Sequence, residues 1–150
     1  MMRNTLRFAL VAVIATILVG AAATWLGGGA IVSCPLPIGV SFISRLDDAP
    51  PSLVQALPER AGEVAPAGTK FDATDVVATG KRRRIIFIWN MDGRWVVATE
   101  RGGIGYNNPI FAFDLSDERR KASFVQERVA LPDTVCSTAS SLLRFAHPNL

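Results

Sequence analysis

Two cysteines, Cys34 and Cys136, stand 102 positions apart and carry the most definite chemistry in this sequence. In an oxidising compartment an even pair of thiols forms a disulfide by default. Closing so long a loop stabilises a fold by up to about 4.7 kcal/mol in the chain-entropy account. No C-x-x-C spacing occurs, which argues against redox catalysis and against a zinc site. The single histidine, His147, lies three residues from the end and directly before Pro148. A frayed terminus does not hold a general base to the tolerance that catalysis needs. No catalytic, cofactor-binding or metal-ligating residue is therefore assigned.

The carboxylates divide in the same way. Asp47-Asp48 and Asp72 with Asp75 lack the ligand density of a calcium loop and read as solvated turns. Asp92, Glu100, Asp114 and Glu127 fall on or beside strands, and two of them converging would form the acid–base pair of a small hydrolase or lyase acting on cell-wall sugars. Gly102-Gly103-Ile104-Gly105 resembles a phosphate cradle, but such loops need a helix N-terminus behind them, and here a proline and a strand follow. The loop reads as a hairpin connection, with Tyr106, Asn107 and Asn108 as a contact-prone tip. Lys81-Arg82-Arg83-Arg84 is the densest charge cluster. It suits anionic headgroups, a cell-wall polymer or an acidic partner, or else guards the very apolar strand that follows it from aggregation.

Those side chains sit downstream of a long uncharged stretch. No charged residue occurs between Arg7 and Arg45. Met1 to Arg7 is a short basic region, Phe8 to Gly20 an apolar run, and Ala21-Ala22-Ala23 a signal-type cleavage site. The apolar character continues to Leu26, so residues 8–26 match the roughly 20 residues needed to cross a bilayer. Retention as an anchor with Trp25 at the interface, cleavage behind Ala23, and lipidation of Cys34 within a loose lipobox (Ile31-Val32-Ser33-Cys34) are three fates of one exported chain. Small residues at every fourth position, Ala12, Thr16, Gly20, Thr24 and Gly28, would permit close helix packing, or simply reflect an Ala/Gly-rich segment.

Three segments follow from these patterns: 1–33 as signal or anchor, 34–69 as a Pro/Gly-rich spacer, and 70–150 as an exported α+β domain. Within the spacer one short helix is expected at residues 52–57, with Ser52 as cap and Pro58 as stop. In the domain, Ile85 to Trp89 is a continuous apolar run, the pattern of a strand buried on both faces. Asp92-Gly93 is a two-residue hairpin signal that sets Trp89 opposite Val96 and Asn90 opposite Trp95. Ile110 to Leu115 alternates, Phe124 to Leu131 is a further strand, and Ser116 to Lys121 is a solvated link. Val135, Ala139, Leu142 and Leu143 then form one helical stripe, opened by Asp133 as N-cap. The expected architecture is an antiparallel meander of four or five strands under a C-terminal helix.

Charge narrows the partners. The chain has 16 Lys+Arg against 13 Asp+Glu. Setting aside Arg3 and Arg7 leaves 14 against 13, too balanced for a nucleic-acid footprint. The expectation is a membrane-anchored or exported bacterial envelope protein. Residues 8–26 face the bilayer, the domain lies in the periplasm or outside the cell, and the role is non-enzymatic binding of an envelope protein or polymer.

Overall fold

The computed structural model describes residues 33–72, 81–115 and 121–145. The anchor segment, Asp75, the 116–120 link and His147 lie outside the described residues. Four long strands form an antiparallel meander: β3 (Arg83–Met91), β4 (Arg94–Arg101), β5 (Asn108–Asp114) and β6 (Ser123–Ala130). Two short strands share the outer edge of β3. β1 (Ser41–Ile43) pairs antiparallel with residues 88–90, and β2 (Val64–Ala65) pairs parallel with Arg83 and Arg84.

The turn between β3 and β4 is the one the residues demand. Asp92 and Gly93 have φ of 49° and 80°, both positive, as a type I′ turn requires. Trp89 pairs with Val96 and Asn90 with Trp95, the expected register. Ile86 is an extra residue between the paired positions Ile85 and Phe87, and Val125 is its counterpart in β6. Such bulges bend and twist a strand. In β6, an open edge, the bulge and the charges of Glu127 and Arg128 discourage pairing with another chain.

Both faces of the sheet are apolar. On one, Phe87, Trp89, Val96, Ala98, Ile110 and Ala112 meet helix α2 (Val135–Arg144) through Val135, Ala139, Leu142 and Leu143. Those four helix residues are the expected stripe, and all are buried. The helix opens at Thr134 rather than Asp133. The Thr134 hydroxyl bonds back to the Leu131 backbone instead of capping the first turn. On the other face, Ile85, Ile88, Trp95, Val97, Phe111 and Phe113 meet helix α1 (Pro51–Ala61).

Helix α1 corrects the expectation for residues 34–69. The stretch supplies β1, a 3-10 turn at Leu46–Asp48, α1 and β2, rather than a spacer holding only a short helix at residues 52–57. The helix begins with Pro51 at its first position, where the missing N–H costs nothing, so Ser52 is not its cap. It passes through Pro58 and ends at Gly62, whose φ is 66°. An interior proline costs about 3 kcal/mol. Leu53, Leu57 and Ala61 form one buried stripe, and each fully buried leucine returns about 1.5–3 kcal/mol. Burial on the sheet carries the helix past its proline.

The Cys34–Cys136 disulfide is formed, with Cα atoms 5.5 Å apart. It joins the start of the folded unit to the first turn of α2, and both residues pack against the core on that face. Replacing Gly93 with valine forces a β-branched side chain into left-handed backbone. Gly93→Val is expected to cost about 1–2 kcal/mol, which a thermal melt reads as a Tm lowered by several degrees.

Candidate functional site: the basic end of the sheet

Strand alternation divides the basic cluster. Arg84 projects toward the α2 face, where its Nε and Nη2 donate to Glu100 Oε1 at 2.5 Å. Its Nη1 donates to the Thr69 carbonyl at 2.8 Å, and the guanidinium lies 4.7 Å from the Phe71 ring centre. Glu100 Oε2 in turn accepts from the Tyr106 hydroxyl at 3.1 Å. Arg84 therefore ties the 69–71 segment, β4 and the β4–β5 loop into one polar network.

Arg83 projects toward the α1 face. It donates to the Ala61 carbonyl at the end of α1, where the helix dipole favours a cation. The pairing register sets it opposite Arg101. Burial, then repulsion by Arg101, lowers its pKa, while Glu127 raises it. Lys81 and Arg82 remain exposed. With Arg83, Arg101 and Glu63 they line a cleft of about 370 Å³ below the end of α1. Four cations around one carboxylate make a cleft complementary to an anionic group.

Only part of the expected patch thus faces solvent: Lys81 and Arg82 are open to water, whereas Arg83 and Arg84 are engaged by the fold. Arg101 joins the site although its sequence neighbours do not mark it. The hairpin register does, because a turn at Asp92-Gly93 carries residue 101 back beside residues 83 and 84. The expected contact loop divides too. Asn107 exchanges backbone hydrogen bonds with Arg101 at 2.9 and 3.3 Å, and Asn108 is buried at the start of β5. The exposed tip is Ile104 and Tyr106. Of the loop glycines only Gly103, with φ of 104°, uses left-handed backbone.

The strand carboxylates divide by position: Asp92 and Asp114 lie toward the hairpin-turn end of the sheet, and Glu100 and Glu127 lie on opposite faces. Asp92 sits in the β3–β4 turn, and Glu100 lies eight residues along β4, about 26 Å away at strand rise. Asp114 pairs with Arg94 at 2.9 Å near the turn end of the sheet. Glu127 pairs in register with Phe111, on the α1 face, opposite to Glu100. Among the described residues no group of three or more His, Cys, Asp or Glu is placed to hold a metal. Asp47 forms an exposed ion pair with Arg45. A second groove of about 300 Å³ opens between β6 and the end of α2, lined by Arg94, Gln126, Arg128 and Phe145 among others. Comparison with protein families, with curated proteins and with solved structures finds no match.

The Arg84–Glu100 pair is 10% and 14% exposed, against 71% and 77% for Arg45–Asp47. Glu100→Gln leaves a buried guanidinium without its counter-charge and is expected to cost on the order of 3 kcal/mol. Asp47→Asn is expected to cost under about 1 kcal/mol. The Glu100 variant has a second readout. Tyr106 is the chain's only tyrosine, and burial, then its hydrogen bond to Glu100 and that carboxylate's charge, raise its pKa above the usual value. A raised phenol pKa favours the fold below the unfolded value, about 10. That contribution is lost as pH climbs through the folded value. Ultraviolet titration of the native chain should give a midpoint above about 10, and Glu100→Gln should lower it.

Proposed function

We propose that this chain is an exported bacterial-type envelope protein, anchored by residues 8–26 with its N-terminus inside. Its folded unit acts as a non-enzymatic binding module on the outer face of the cytoplasmic membrane. The observation that carries this reading is the Cys34–Cys136 bond. A disulfide that holds the start of a folded unit to its last helix fits an oxidising compartment and persists poorly in a reducing one. The basic region ahead of a charge-free stretch of export-signal type points the same way. Among the described residues no helix is long and apolar enough to cross a membrane, and residues 8–26 lie outside them. Cleavage behind Ala23 would release the same module as a secreted protein. Lipidation of Cys34 would require the sulfur that the disulfide occupies.

Binding is assigned to the cleft of Lys81, Arg82, Arg83 and Arg101, and its partner is an anionic envelope polymer or an acidic protein surface. Engagement of Asp114 by Arg94 and of Glu100 by Arg84, with Glu100 and Glu127 on opposite faces, supports this over the sugar hydrolase. A phosphatase reporter fused after Leu150 should be active in bacterial cells, and alkylation should find no free thiol before reduction and two after it. A silent reporter or two thiols labelled without reduction would overturn export. For the cleft, Lys81→Ala/Arg82→Ala removes two exposed charges, so the melt should be unchanged. Retention on immobilised dextran sulfate at low salt should fall, and retention equal to the parent's would sink the cleft as the binding site.

A further inference from the structure

The segment between the disulfide and β1 is held at both ends. Cys34 is bonded to Cys136, and Val40 is buried in the core under α2. Between them the Val40 N–H donates to the Pro37 carbonyl at 3.1 Å, and Gly39 has φ of 80°. This is a tight turn with Ile38 and Gly39 at its centre, closed by the glycine in left-handed backbone. Turn centres ordinarily carry polar residues or glycine. Here the isoleucine side chain stands 101% exposed, Leu36 is 48% exposed and Phe42 54%. The bond and the buried valine fix the backbone that bears Leu36 and Ile38, and pairing opposite Trp89 in β1 fixes that of Phe42.

We propose that Leu36, Ile38 and Phe42 form a membrane-contacting ridge that seats the folded unit on the lipid bilayer, inserting at the boundary between headgroups and acyl chains. The inference rests on the anchor reading and adds a second, independent contact to it. Two observations select lipid as the occupant. The ridge belongs to the same charge-free stretch as residues 8–26, and the first charges after it, Arg45, Asp47 and Asp48, begin only beyond β1. It also begins ten residues after the proposed span ends at Leu26, so in an anchored chain a short uncharged linker joins the two. Apolar side chains on a rigid turn gain by entering that boundary, where no loop ordering opposes them.

The test uses the full chain in vesicles of phosphatidylcholine and phosphatidylglycerol. Trp25→Phe leaves Trp89 and Trp95, both buried in the folded unit, as a background that lipid bromines do not reach. Adding Ile38→Trp at a fully exposed position leaves the core untouched. The new emission should be blue-shifted and lost in brominated vesicles, more strongly with bromines near the headgroups than near the chain ends. Emission equal in brominated and plain vesicles, and open to an aqueous quencher, overturns the ridge. A blue shift that grows with protein concentration but ignores bromine assigns the ridge to a second copy and overturns it equally. The anchor is read separately: the parent chain should co-sediment with vesicles and its Trp25 should be quenched. Co-sedimentation of the Ile38→Trp variant with its new emission unquenched removes the ridge alone, and a chain that stays in solution removes both.

Discussion

Strands β3 and β4 bury both of their faces, and that requirement dictates the position of every other segment. Trp89 and Phe87 stack on one side, with ring centres 4.3 Å apart, while Ile85, Ile88 and Trp95 fill the other. An antiparallel sheet commonly leaves one face to solvent. This one does not, so it needs two covers. Helix α2 supplies one, and α1 supplies the other despite two prolines in its sequence. The three-layer arrangement is set by the side chains of the central hairpin, and the helices answer to it.

The polar groups obey the same geometry. Because β3 alternates, two adjacent arginines cannot share a face, and each is matched to what its own side offers. Arg83 finds the carbonyl end of α1, and Arg84 finds Glu100 across the register. The charges left over, Lys81 and Arg82, precede the strand, and their side chains are exposed. Excess positive charge is thereby concentrated at one corner of the sheet, beside Arg101 and Glu63.

Much of this was legible in the residues alone. The Asp92-Gly93 turn and its register, the face shared by Phe111 and Phe113, the stripe of α2 and the cysteine pair all follow from local rules of turn, period and redox. Helix α1 was legible only in part: residues 52–57 read as a short helix, but Pro58 reads as its stop, which hid both the continuation to Ala61 and the helix's place in the core. Its stability comes from the sheet beneath Leu53, Leu57 and Ala61, a tertiary term that local propensity does not contain. A clue was nonetheless present: a strand run apolar on both faces implies a second cover, and residues 34–69 were the remaining material. The candidate site was half visible for a similar reason. Four consecutive basic residues announce a patch, yet which of them face water depends on strand parity, and Arg101 enters only through pairing.

The disulfide has a mechanical side. A pull reaching the folded unit through its N-terminal side arrives at Cys34, and the bond passes it directly to the first turn of α2. The strands between residues 34 and 136 lie inside a closed covalent loop and carry almost none of that load. Unzipping of the short strand β1 from β3 is therefore not driven by tension at that point. Tension applied at Cys34 runs past the sheet through sulfur, and the strand register is left unloaded.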